Sequence, residues 1–70
     1  MKYKVEIRPC PEYERWLWEL RNEQGKVLEK SNETMLHEAA TAALQAAKAY
    51  GEISPVLLEE THITVKYDLD

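Results

Sequence analysis

Leu36-His37-Glu38-Ala39-Ala40-Thr41-Ala42-Ala43-Leu44-Gln45-Ala46-Ala47-Lys48-Ala49-Tyr50-Gly51 reads as one helix set among strands. Alanine is the strongest helix former, and Ala39, Ala40, Ala42, Ala43, Ala46 and Ala47 fall within this run. Thr34 is the expected N-cap, Glu38 lies near the positive end of the helix dipole, and Gly51 follows the last turn. At 100° per residue, Leu36, Ala39, Ala40, Ala43, Ala47 and Tyr50 share one face, with Met35, Leu44 and Ala46 at its margins. Glu38, Thr41, Gln45 and Lys48 lie opposite. A buried stripe made mostly of alanine lets a helix lie close to whatever it covers, so the partner surface must supply the bulk.

That bulk lies upstream. Tyr3, Val5 and Ile7 alternate with Lys2, Lys4, Glu6 and Arg8, the period of a strand with one wet face. Pro9-Cys10-Pro11 is expected to stop it, because proline removes a backbone donor. Glu14 to Asn22 alternates again, with Trp16, Trp18 and Leu20 on one side and Arg15, Leu17, Glu19 and Arg21 on the other. The two tryptophans supply the volume that the alanines lack. Gln24-Gly25 marks a turn, and Lys26 to Lys30 completes a three-stranded meander.

Downstream of Gly51, Ile53-Ser54-Pro55-Val56-Leu57-Leu58 reads as an apolar connector. Thr61 to Asp68 reads as a last strand with Ile63, Val65, Tyr67 and then Leu69 inward, and His62, Thr64 and Lys66 outward. The expected fold class is α+β, one small domain in the order β-β-β-α-β, with one helix on one face of a mainly antiparallel sheet. A right-handed crossover places the last strand parallel to the first, giving sheet order 3-2-1-4.

Composition limits the function. Seventy residues suffice for one core and not two. The apolar share of 44% and charged share of 31% suit an ordinary globular chain. Nine basic against thirteen acidic residues, net −4, argue against a general nucleic-acid coat or a membrane-surface peptide. Ala39 to Ala47, the longest uncharged stretch, is far shorter than the roughly 20 apolar residues of a membrane span, and the charged start does not read as a signal peptide. A lone cysteine, Cys10, cannot form an internal disulfide, which fits a reducing, cytoplasmic setting.

No nucleophile motif, phosphate-binding glycine loop or metal-spaced cluster is present, so no catalytic residue, cofactor or metal is assigned and the chain is read as a non-enzyme. Cys10 reads as a small loop residue, His37 and His62 as solvated surface residues, and adjacent Glu59 and Glu60 point to opposite sides of a strand. The outer sheet face is the candidate partner face. By parity it carries Lys2, Lys4, Arg8, Arg15, Arg21 and Lys66 against Glu6, Glu19 and Asp68, with Leu17, His62 and Thr64 among them. That excess of positive charge would suit RNA or an acidic partner. The reading preferred is a solvated face laced with cross-strand ion pairs, since stacking on bases needs exposed aromatics and Leu17 is no substitute.

The run Trp16-Leu17-Trp18-Glu19-Leu20, then Gly25-Lys26-Val27-Leu28, then Ser31 and an alanine-paired helix, resembles several small bacterial and phage families. Among them are the N-terminal domain of HicB-type antitoxins and the YegP-type repeat. The resemblance spans about residues 3 to 50 and implies a strand meander followed by a helix, with a further strand in the HicB-type case. It carries over no functional residue.

The expected function is a non-catalytic protein-interaction module that self-associates. Nucleic-acid binding through Lys2, Lys4, Arg15, Arg21 and Lys66 is the alternative, and an acidic phage-type inhibitor is a third reading. In the order 3-2-1-4 the short third strand is protected by Lys26 and Lys30. The last strand, with Ile63, Val65 and Tyr67, is then the edge expected to pair with its symmetry mate in a homodimer. Ile53, Val56, Leu57 and Leu58 are expected to cover that seam.

Overall fold

A computed structural model describes residues 3–69. Its elements are β1 (Tyr3–Cys10), β2 (Arg15–Arg21), β3 (Val27–Glu33), α1 (Leu36–Lys48), β4 (Pro55–Glu60) and β5 (Val65–Leu69). The five strands form one antiparallel sheet in the order β3-β2-β1-β5-β4, with α1 on one face, so the α+β class holds.

The alternation in β1 and β2 places the expected residues under the helix. Val5 sits opposite Leu20, and Ile7 opposite Trp18; on the other flank Val5 meets Tyr67 and Ile7 meets Val65. Ala39, Ala43 and Ala47 are buried against this surface together with Tyr3, Trp18 and Leu69. Trp18 is packed at a cost, because its indole N–H is buried with no hydrogen-bond partner among the described residues. Tyr50, expected on the helix face, lies in the turn just past the helix, whose C-cap is Ala49, and sets its ring 5.7 Å from that of Tyr3.

The β2–β3 hairpin closes on Asn22. Its side-chain oxygen accepts from the backbone N–H of Gln24 and Lys26, at 3.0 and 2.9 Å. Gly25 takes the positive φ of 84° that the turn requires. A bulge follows, leaving Leu28 as the extra residue between the partners of Leu20 and Arg21, and Leu28 turns toward the core.

Four local expectations are corrected. β1 runs on through Pro9 to Cys10; among the described residues it pairs beyond Ile7 with β2 alone, so a missing donor can fall on the other side. β3 continues past Lys30 to Glu33. The helix N-cap is Met35 without a side-chain cap bond, because the first turn starts at Leu36 and Thr34 lies one residue too early. The fourth correction changes the topology. The apolar connector is itself a strand, β4, which reverses direction before β5. Hence β5 runs antiparallel to β1 rather than parallel, and the sheet has five strands rather than four.

The β4–β5 turn has no glycine. Thr61 builds it instead: its hydroxyl oxygen accepts from the N–H groups of Ile63 and Thr64 at 3.2 and 2.9 Å. The Thr61 N–H donates to the Thr64 carbonyl at 2.8 Å. A threonine hydroxyl thus replaces the usual turn chemistry.

Candidate interaction surfaces

The outer sheet face is crossed by one charged residue from each strand. Lys30, Glu19, Glu6, Lys66 and Glu59 lie side by side from β3 through to β4. Glu6 and Glu19 are directly opposite each other, a destabilising pair if left alone. Arg8 resolves it. One guanidinium nitrogen, Nη1, donates to Glu19 Oε1 at 2.8 Å and to Glu6 Oε1 at 3.2 Å. Arg21 Nη2 donates to the same Glu19 oxygen at 3.2 Å, while its Nη1 donates to the Gly25 carbonyl at 2.8 Å. Burial pushes the Glu19 carboxyl up, but hydrogen bonds from Arg8 and Arg21 outweigh it and hold the group below its usual range. The hydrogen bond to Glu19 correspondingly raises Arg8.

Other candidates on this face are placed as follows. Arg15 donates to the Asn32 side chain. Leu17 is half-buried between its neighbours Arg8 and Asn32. Lys66 Nζ stands 4.0 Å from Glu59 Oε2. Lys4 is exposed, opposite Arg21 on one side and Asp68 on the other, and makes no ion pair among the described residues. Lys2 lies outside the described residues. The arginines are thus tied into the sheet. Their hydrogen bonds would have to be exchanged before they could grip a phosphate.

The candidate self-association edge is not an edge. β5 lies between β1 and β4, Val65 is buried, and Tyr67 is half-buried between Val5 and Leu57. Ile63 is 56% exposed at the tip of the β4–β5 turn rather than facing inward. The inserted strand takes the edge, so the residues expected to cover the seam form the edge itself. Val56, Leu57 and Leu58 are 54%, 47% and 56% exposed. The α1 helix packs on β1, β2 and β3, leaving β4 exposed along its whole length. Between the start of the helix and this margin runs a groove of about 420 Å³ lined by Met35, Leu36, His37, Ala40, Glu60, Val65 and Tyr67.

Cys10, His37 and His62 fall on separate elements: the end of β1, the first turn of α1 and the β4–β5 turn. Among the described residues no three His, Cys, Asp or Glu side chains gather as a metal site would require. No described helix is long and apolar enough to cross a membrane.

No protein-family model, curated protein or solved structure matches this chain.

Proposed function

We propose that this chain is a non-catalytic protein-interaction module whose contact surface is β4. One observation carries the reading: three consecutive apolar side chains, Val56, Leu57 and Leu58, stand about half-exposed on an edge strand. An edge strand offers a row of unpaired N–H and C=O groups to another strand, and apolar side chains beside that row add desolvation. Nucleic-acid binding through the outer face is the weaker alternative, because Arg8, Arg15 and Arg21 are held by Glu6, Glu19, Gly25 and Asn32.

A photo-crosslinking residue at position 57, compared with the same residue at Thr41 on the polar helix face, tests this in the native cell. Protein adducts are expected from position 57 and not from position 41. An absence of any adduct at 57, or equal labelling at both, would contradict the proposal.

A further inference from the structure

Resting on that reading of β4, we infer that its partner is the β4 of a second copy, paired antiparallel about Leu57. The facing of the side chains follows from the register with β5. Val56 lies over Asp68 and Glu59 over Lys66 on the outer face, while Leu57 lies over Tyr67 on the helix face. Leu58 is the extra residue of a bulge and lines an outer groove with Lys4, Arg21 and Lys66.

Directly opposed residues of an antiparallel pair project from the same face. Centring the pair on Leu57 meets that condition at Val56, Leu57 and Leu58; beyond the bulge Glu59 and Pro55 project from opposite faces, so the matched ladder ends there. Leu57 then faces Leu57 of the second copy, and Val56 faces its Leu58. The carboxylates stay apart: Glu59 faces Pro55 of the second copy, so the two Glu59 residues sit at opposite ends of the ladder, about 14 Å apart at 3.4 Å per residue. Each keeps its own Lys66 at 4.0 Å. Pro55, which lacks an N–H, falls at the end of the ladder, where a missing donor matters least. Moving the centre to Leu58 sets Leu57 against Glu59 and Val56 against Glu60. Moving it to Val56 leaves Leu58 facing Ser54.

Among the described residues, the other surfaces offer β4 nothing comparable. β3, the opposite edge, presents Glu29, Lys30, Ser31 and Asn32, so an open β4-to-β3 chain of molecules would set leucine against charge. A face-to-face dimer would bury Glu38, Thr41, Gln45 and Lys48 on the outside of α1. The two-fold axis through the Leu57 pair stands perpendicular to the sheet and puts both helices on one side. They then flank a trough floored by Leu57 and Tyr67 of each copy.

Light scattering from tens to hundreds of micromolar is the first test. The wild type is expected to approach twice the 8.2 kDa chain mass. Leu57→Lys, with its folded state checked by circular dichroism, is expected to weaken dimerisation about tenfold or more. In a Cys10→Ser background, Leu57→Cys is expected to form a disulfide-linked dimer on mild oxidation at least tenfold faster than Glu29→Cys on the β3 edge. A monomeric wild type at hundreds of micromolar would overturn the inference. So would a dimer whose Leu57→Cys links no faster than Glu29→Cys. Either result leaves the broader reading of β4 standing if position 57 still crosslinks to a different protein; if it crosslinks to none, both fall.

Discussion

β3 ends the sheet with Glu29, Lys30, Ser31 and Asn32 in solvent, whereas β4 ends it with Val56, Leu57 and Leu58 in solvent. The difference extends inward. The β3 side lies under α1 and hands its bulge residue, Leu28, to the core. On the β4 side the bulge residue, Leu58, is left on the outer face beyond the reach of the helix. One edge carries charge at its middle, as solitary edges usually do; on the other, Pro55 and the carboxylates Glu59 and Glu60 lie at the ends and the middle is apolar. A small domain of marginal stability gains most from covering an exposed apolar edge, so on the proposed reading the same sheet carries its fold on one flank and its contact surface on the other.

Truncating one leucine from each flank sharpens the contrast. Leu20→Ala, in the fully buried β2 position, is expected to cost about 2–5 kcal/mol and leave little of a small domain folded at ambient temperature. Leu57→Ala, measured at low micromolar concentration, is expected to cost about 0.5–1 kcal/mol, in keeping with its partial exposure. Urea denaturation of both variants checks the pair. Equal losses would break the distinction between the flanks.

Overfilling the covered flank is the next largest effect. Ala43 is fully buried over the tryptophan-bearing strand, and Ala43→Leu is expected to cost about 1–3 kcal/mol in the same assay. An unchanged midpoint would show that the helix does not seat on alanine.

Much of this was legible in the sequence, and the part that was not has a physical explanation. The alternation of β1 and β2 and the alanine stripe of α1 located the core, because both are continuous periodic patterns on elements buried on one side. The outer-face ion pairs were also foreseeable, since Glu6 and Glu19 share the parity of Arg8 and Arg21. β4 escaped because a bulge interrupts its alternation. Leu58 and Glu59 fall on one side of the sheet, so Val56-Leu57-Leu58 reads as an unpatterned apolar run. The turn after it gave no glycine or asparagine signal either, since Thr61 does that work with its hydroxyl. Missing one strand moved the edge from β4 to β5 and reversed the direction expected for β5.

The smallest predicted effect lies on the outer face. Glu19→Gln keeps the shape but removes the charge that holds Arg8 and Arg21, at a cost of about 1 kcal/mol at neutral pH. Because the folded-state carboxyl titrates below its unfolded value, its contribution is complete above about pH 4.3 and fades as pH falls through the lower folded value. The wild type should therefore lose stability in that acid range more steeply than the Glu19→Gln variant. Parallel pH profiles of the two would contradict the role given to Glu19.

Hydrogen exchange of the backbone amides, compared between low and high micromolar protein, tests the central contrast most directly. Amides of Val56 to Glu60 are expected to become more protected as concentration rises, while those of Glu29 to Asn32 on the opposite edge do not change. Protection of β4 that is independent of concentration, or a change that appears on β3 instead, would contradict it.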